Sequence, residues 1–273
     1  MTWTEAVRVQ SSRAQRIGAA TVVRSWRVAL LIAVLLAWWA IAALGVLPAT
    51  LVPDPIDVVV ALVGLVPTAE YWTAIGLTLL GAICGLIAAI LVGIPIGILT
   101  GRSQRAELSM RFLLDFGRAF PAVALTGVLV LMLGRDVEMK SVLVFIAVVF
   151  PIAIQTQHGV RRVEPMVEET CRAFQIPQGL YVRKVLLPNA APYIMTGLRL
   201  AASVAVLVAI SAEVLTNAPG IGERIAAAQI DSNAPKSFAF IVTAGLLGYA
   251  VNVGVGALQR RAVRWRPDHG MGD

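Results

Sequence analysis

The chain has 273 residues, of which 58% are hydrophobic and 14% are charged, and its mean hydropathy is +0.79. Soluble domains carry about 25% charged residues, so this composition excludes an ordinary soluble enzyme and indicates a polytopic membrane protein. The net charge of +7 does not indicate a nucleic-acid partner, because basic residues also hold the loops of membrane proteins on the cytoplasmic side.

The chain begins with a polar stretch, residues 1–27, whose five arginines predict a cytoplasmic tail. Residues 28–47 then form an apolar run long enough to cross the roughly 30 Å hydrocarbon layer. A signal peptide is the competing interpretation, but this run is long for one and further apolar runs follow it. Residues 48–71 are rich in proline and contain no Lys or Arg, which predicts an outer segment.

The second predicted span covers residues 72–100. Small residues recur at every fourth position along it and just beyond it, which places them on one face of a helix. Such a face lets the backbone of a neighbouring helix approach closely, so we expect a packing surface here. The residues are Gly81, Gly85, Ala89, Gly93, Gly97 and Gly101.

A short basic segment, residues 101–111, predicts a cytoplasmic loop, and the third predicted span follows at 112–133. Asp115 and Arg118 are three residues apart, so their side chains can pair on one helix face. Pro121 is expected to open this helix. A short turn at 134–140 and a fourth span at 141–157 complete this part of the chain.

Residues 159–192 form the longest charged interruption in the middle of the chain. Glu164-Pro165 predicts a helix start, since proline at the first helical position loses no hydrogen bond. Met166, Thr170, Cys171 and Phe174 then share one face. After a break at 175–179, a second short helix is expected, with Tyr181, Val182, Val185 and Leu186 opposite Arg183 and Lys184. Two short amphipathic helices at a membrane surface predict a docking element.

The fifth predicted span, residues 193–215, contains Arg199 and Glu213. An ionisable residue at membrane depth is costly, so Glu213 is either a functional residue or a residue of the outer interface. Residues 216–236 predict an outer loop, 237–258 a sixth span, and the basic residues 259–273 a cytoplasmic tail.

The distribution of basic residues supports this topology. Seventeen of the 23 Lys and Arg residues fall in the segments assigned to the inner side. This asymmetry predicts six spans between residues 28 and 258, with both termini in the cytoplasm. The loop at 159–192 is then also cytoplasmic.

The 159–192 loop resembles a signature of ABC importer permeases, in which Glu-Ala-Ala and a following Gly precede a hydrophobic-x-Leu-Pro ending. Glu169, Val185, Leu187 and Pro188 match it, while Thr170, Cys171 and Gln175 replace the Ala, Ala and Gly. Further matches, over residues 71–266, are typical of the nitrate, taurine and alkanesulfonate branch. They are Arg118, Phe120-Pro121, Gly134, Glu138, Lys140, Leu187-Pro188, Pro192-Tyr193-Ile194, Gly197-Leu198-Arg199, Ala212-Glu213-Val214 and Gly220-Ile221-Gly222.

This resemblance implies an all-α, six-span, type I (MetI-like) permease of the bacterial cytoplasmic (inner) membrane. It implies a pathway formed with a second permease copy or a paralogue, a cytoplasmic ATPase dimer that binds ATP and Mg²⁺, and an extracytoplasmic substrate-binding protein. The permease itself would hold no cofactor and would contact lipid. The implied solute is an aliphatic sulfonate, taurine or a nitrate-like molecule.

The resemblance also implies roles for individual residues. The residues expected to couple to the ATPase are Glu169, Arg172, Ala173, Phe174, Val185, Leu187 and Pro188. The residues expected along the translocation pathway are Arg118, Phe120, Pro121, Arg199 and Glu213.

Two other classes of protein remain open at this point. A stand-alone secondary transporter or channel would need several ionisable midplane positions and inverted repeats, and only Glu213 and Arg118 qualify as such positions. A membrane-embedded enzyme would need a nucleophile–base pair or a metal cluster, and the two histidines, His158 and His269, flank no such group. The sequence also lacks the G-x-x-x-x-G-K-[ST] motif that cradles ATP phosphates.

Overall fold

A computed structural model describes residues 26, 28–45, 47–48 and 50–262 of the chain. Most of residues 1–27 and all of 263–273 lie outside this part, so the predicted tails at 1–27 and 259–273 are largely outside it too. The described residues form helices and no strands, which confirms the all-α prediction. The α-helices are α1 (Val28–Ala43), α2 (Pro55–Leu65), α3 (Ala69–Arg102), α4 (Gln104–Ala119), α5 (Thr126–Leu133), α6 (Val137–Val160), α7 (Pro165–Ala173), α8 (Gln178–Tyr181), α9 (Leu187–Thr216), α10 (Ile221–Ile230) and α11 (Ala234–Ala262).

Four helical stretches of the described chain are long and apolar enough to cross a membrane: α3, α6, the stretch from α8 to α10, and α11. They contain the predicted second, fourth, fifth and sixth spans, but each helix runs several residues beyond the predicted boundaries. The 34 residues of α3 give a length of about 51 Å, which exceeds the hydrocarbon layer. Helix α1, at the predicted first span, is a shorter apolar helix.

The third predicted span, 112–133, is not one straight helix. Its first part belongs to α4, which begins at Gln104, and α4 meets the segment Ala122–Leu133 at an angle of 81°. The break falls at Pro121, which has no N–H to donate, and the preceding Phe120 is extended. Counted as one broken span, this pair brings the number of spans to five.

The core lies where α3 packs against α6 and α6 packs against α9. Every glycine of the predicted small-residue face of α3 contacts α6. A methyl group on Gly97 would collide with the Ala153 carbonyl oxygen, and one on Gly101 would lie 2.6 Å from Val160 Cβ. Ala89, on the same face, is fully buried. The predicted packing surface is therefore confirmed, and it brings the backbones of α3 and α6 together along much of their length.

Two helices lie in segments where the sequence predicted no helix. Helix α2 lies in the proline-rich segment 48–71, and α10 lies in the predicted outer loop 216–236. Asp54 caps α2 by accepting a hydrogen bond from the Ile56 amide at 2.8 Å, and Pro55 occupies the first turn. Both helices lie at the end of the molecule that is opposite α7. We call this end the α10 end, and we call the end that contains α7 the α7 end.

The two predicted helices of the 159–192 loop are only partly separate. Helix α7 begins at Pro165 as expected, but α8 continues through a π-helical turn, Val182–Leu186, directly into α9. Pro188 lies in the first turn of α9 and Pro192 lies inside that helix. The second short helix expected in this loop is therefore continuous with the helix that contains the predicted fifth span.

Candidate functional site

Helix α7 presents most of its residues to solvent. Met166 and Phe174 are 76% and 78% exposed, and Glu169, Thr170 and Ala173 are also exposed. An apolar surface of this kind, with an acidic residue inside it, is typical of a site that docks another protein.

The opposite side of α7 is anchored by Cys171. This residue is 8% exposed and packs in a small apolar cluster with Val160, Tyr181, Leu186 and Ala190. That cluster joins the ends of α6, α7 and α8 to the start of α9.

Helix α7 ends in a turn that requires a left-handed residue. Gln175 has φ of +50°, and the Ile176 amide donates a hydrogen bond to the Cys171 carbonyl at 3.0 Å. Gln175 stands where the resembled signature has Gly, a residue that adopts this conformation without the steric cost of a Cβ. The geometry thus explains the usual glycine and shows that the turn is kept in its absence.

The predicted coupling residues fall into two groups. Glu169, Arg172, Ala173 and Phe174 are exposed on α7 and its end, and Arg172 pairs with Glu168 at 2.6 Å. Val185, Leu187 and Pro188 are half-buried in the connection from α8 to α9. The first group is open to a partner, whereas the second is partly covered by the surrounding helices.

The predicted pathway residues are not brought together. Arg118 is exposed and pairs with Asp115 at 3.3 Å, as expected, and Phe120 and Pro121 form the break after α4. Arg199 donates a hydrogen bond to Asn252 Oδ1 of α11 at 2.6 Å. Glu213 lies on the same helix as Arg199 but about 21 Å further along its axis, because α-helices rise about 1.5 Å per residue.

Glu213 is fully buried and forms an ion pair with Lys140. The Lys140 ammonium lies 2.8 Å from Glu213 Oε1 and also donates to the carbonyls of Leu77 and Pro219 at 3.1 and 2.8 Å. Sequence analysis placed Lys140 in an outer turn, which is wrong, because it lies in the first turn of α6 and is 0% exposed. Sequence reasoning had no signal for this pairing, since the partners are 73 residues apart.

The other carboxylate oxygen of Glu213 is held by α3 and α10. Thr78 donates to Oε2 at 2.9 Å and the Gly222 amide donates at 3.0 Å. Thr78 also accepts from the Ile221 amide at 2.9 Å. The first amides of α10, which have no partners within their own helix, are thereby satisfied. A carboxylate at this position also complements the helix dipole of α10.

Glycines make room for this network. A Cβ on Gly220 would collide with the Glu213 carboxylate, and one on Gly222 would lie 2.6 Å from Glu213 Cβ. On the other side, a Cβ on Gly81 would lie 3.0 Å from Lys140 Cβ. The Gly220-Ile221-Gly222 and Ala212-Glu213-Val214 segments, noted separately in the sequence, are therefore parts of one structural unit.

Another ion pair lies at the α7 end. Arg161, just after α6, pairs with Glu107 in the first turn of α4 and donates to the Thr100 carbonyl at 3.4 Å. The Glu107 carboxylate compensates the charge of Arg161.

Comparison with protein families identifies the family of this chain. The model of the family described as binding-protein-dependent transport system inner membrane component matches residues 93–264. The chain belongs to this family. The matched region begins within α3 and covers the α7 loop and the Lys140–Glu213 pair. This membership confirms the predicted resemblance, agrees with the expectation of a transport component that is not an enzyme, and does not favour a stand-alone transporter.

Individual relatives agree with the family. The chain is 32% identical over 238 residues to a Bacillus subtilis protein named as an aliphatic sulfonates transport permease, SsuC, covering 87% of this chain and 86% of the relative. It is 26% identical over 233 residues to the taurine transport system permease TauC of Escherichia coli, covering 84% and 85%. It is 30% identical to the Synechococcus elongatus bicarbonate transport system permease CmpB, covering 66% of this chain and 65% of the relative.

Solved structures show the same fold. A chain of the MetNI methionine ABC transporter in an inward-facing conformation matches with a TM-score of 0.60 and 18% identity, covering 68% of this chain and 92% of that chain. A chain of an amino acid ABC transporter matches with a TM-score of 0.57, covering 72% and 94%. The predicted type I, MetI-like architecture is thereby confirmed.

Proposed function

We propose that this importer permease forms its translocation pathway with a second permease copy or paralogue and is driven by a cytoplasmic ATPase dimer that docks on α7. The single observation that supports this most strongly is the exposed face of α7, where Met166 and Phe174 flank Glu169. An ATPase groove would bury both apolar side chains, and a basic residue in it would pair with Glu169.

Movement of α7 would reach the membrane through the continuous helix α8–α9. Cys171 and Leu186 belong to one buried cluster, and Leu186 is followed directly by α9. Closure of the ATPases on ATP would therefore shift the start of α9, and each state of the pathway would be favoured by different partner contacts. An outer binding protein would deliver the solute at the α10 end.

The first prediction concerns docking. Glu169→Lys should leave the protein folded but abolish retention of the ATPase during affinity purification, because the reversed charge repels the basic residue expected opposite it. Glu138→Lys is the matched control, since Glu138 is also exposed and lies in α6 at the opposite end. The control should retain the ATPase. Normal uptake by a well-expressed Glu169→Lys protein would contradict the docking role.

The solute is proposed to be an aliphatic sulfonate, taurine or a similar small oxyanion such as nitrate. The support is the similarity to permeases named for aliphatic sulfonates, taurine and bicarbonate. The basic composition of the chain adds no support, because most of the basic residues are assigned to the cytoplasmic side. The uptake measurement should therefore use a radiolabelled alkanesulfonate, with unlabelled nitrate and bicarbonate as competitors.

A further inference from the structure

A polar cavity of about 240 Å³ lies at the α7 end, between the end of α3, the end of α6, and helices α7 and α8. It is smaller than the roughly 300–1,000 Å³ of pockets that hold drug-sized ligands, so it suits a small group. Its polar lining residues are Arg102, Arg161, Glu168, Arg172, Gln178 and Tyr181.

The three arginines of the cavity come from three different elements and have unequal partners. Arg161 pairs with Glu107, and Arg172 pairs with Glu168. Arg102 instead donates to the neutral amide of Gln178 at 2.5 Å and lies over the Tyr181 ring at 5.8 Å. No carboxylate of the described residues lies within ion-pair distance of Arg102. Three guanidinium groups thus face two carboxylates, which leaves one positive charge at the cavity.

Tyr181 supplies a second, independent observation. Its side chain lines the cavity, and the residue is only 7% exposed. Within the part of the chain that the structure describes, its hydroxyl makes no hydrogen bond to another protein atom, and because the hydroxyl oxygen remains accessible it is free to donate to a ligand in the cavity. A guanidinium also has more N–H groups than a single amide oxygen can accept. The cavity therefore offers several hydrogen-bond donors to a bound acceptor.

We propose that this cavity binds a tetrahedral oxyanion of the phosphate type, supplied either by a lipid headgroup or by a free cytoplasmic anion. Planar guanidinium groups with free N–H donors are the side chains best suited to such an anion. The bound anion would bridge Arg102 at the end of α3 and Arg172 on α7. It would thereby hold α7 against the membrane-spanning helices, whether or not α7 docks an ATPase.

The test measures anion-dependent thermal stabilisation of the purified full-length protein in neutral detergent. Sodium phosphate is titrated against sodium chloride at equal ionic strength, and phosphatidylglycerol is titrated against diacylglycerol, which lacks the phosphate. The variants are Arg102→Gln and Tyr181→Phe. Arg183→Gln is the matched control, because Arg183 is exposed on the same loop and does not line the cavity. The dissociation constant follows from the shift in melting temperature with ligand concentration.

We expect the wild type and Arg183→Gln to be stabilised equally. Arg102→Gln should bind roughly tenfold more weakly, because it loses a hydrogen bond to a charged group. Tyr181→Phe should bind more weakly while unfolding normally without ligand. Stabilisation by phosphatidylglycerol alone identifies a lipid headgroup, and stabilisation by phosphate alone identifies a free anion. Equal stabilisation of all four proteins, or of none, overturns the proposal.

Discussion

The ion pair between Lys140 and Glu213 is shielded from solvent, and both carboxylate oxygens of Glu213 accept hydrogen bonds. Two buried charges are costly to desolvate, and their attraction offsets that cost only if further hydrogen bonds satisfy both groups. Here Leu77 and Pro219 accept from the ammonium, while Thr78 and Gly222 donate to the carboxylate. The pair therefore fixes the positions of α3, α6, α9 and α10 relative to one another.

The second prediction follows from this geometry. Lys140→Met should destabilise the protein by about 3–5 kcal/mol, because Glu213 is left buried without a compensating charge. The double variant Lys140→Met with Glu213→Leu should recover much of that loss. Thermal unfolding in detergent measures both, with Glu138→Gln as a control at an exposed position on α6.

The single variant Glu213→Leu completes this series. If the losses of the two single variants simply add in the double variant, Lys140 and Glu213 do not interact. The same series tests the pathway role expected for Glu213. If Glu213 serves only to position α10, uptake should follow the amount of folded protein in every variant.

At the scale of elements, close contact between α3 and α6 depends on residues without side chains. Gly85, Gly93 and Gly97 each have a backbone carbonyl oxygen of α6 within contact distance of an added Cβ. A backbone atom cannot rotate away as a side chain can, so a larger residue must separate the helices. Van der Waals packing of this kind is a main source of helix association in membranes.

The third prediction compares two glycines of α3. Gly97→Ala should cost about 1–3 kcal/mol, because its methyl group collides with the Ala153 carbonyl and Thr156. Gly76→Ala is the matched control, since nothing lies within 4 Å of its added Cβ. This control should be neutral or stabilising, because Ala favours a helix over Gly. Equal melting temperatures for the two variants would contradict the packing of α3 on α6.

Helix α7 illustrates why short elements depend on their surroundings. Nine residues are too few for a stable isolated helix, since nucleation is costly. Cys171 anchors one side, the Gln175 turn ends it, and the exposed side is left for a partner. Helix α7 is therefore stabilised by its contacts with the rest of the fold, which is what the proposed docking role requires of it.

At the scale of the whole molecule, the α7 end and the α10 end differ in character. The α7 end carries the arginine-lined cavity and the exposed α7 face, whereas the α10 end carries the buried ion pair and the short helices α2 and α10. The charge asymmetry of the sequence predicts that the α7 end faces the cytoplasm.

The fourth prediction tests this orientation. In a background with Cys84→Ser and Cys171→Ala, Met166→Cys should react with a membrane-impermeant maleimide only in inverted vesicles. Ile230→Cys should react only in spheroplasts, because it lies at the α10 end. With the permease expressed without its ATPase, both positions are highly exposed, at 76% and 78%, so the membrane alone limits access to the thiol. The reverse pattern of labelling would overturn the assigned topology.

The sequence by itself determined the all-α membrane class, the approximate positions of the apolar helices, the α3 packing face and the start of α7. These features follow from local composition and periodicity, which a single chain displays directly. The signature around Glu169 and Pro188 identified the family only together with the further matches over residues 71–266. Glu213 was correctly singled out as unusual, but its environment was left open between two alternatives.

Tertiary structure decided what depends on contacts between distant residues. The sequence placed Lys140 in a short turn, whereas the structure places it in α6, where it pairs with Glu213. Arg102 and Arg172 line the same cavity because both α3 and α7 border it. Helices α2 and α10 were missed because their sequences are short and interrupted, and packing rather than periodicity stabilises them. Pro121 predicted the interruption after α4, because proline removes one backbone hydrogen bond. The angle of the bend depends on the helices packed around it.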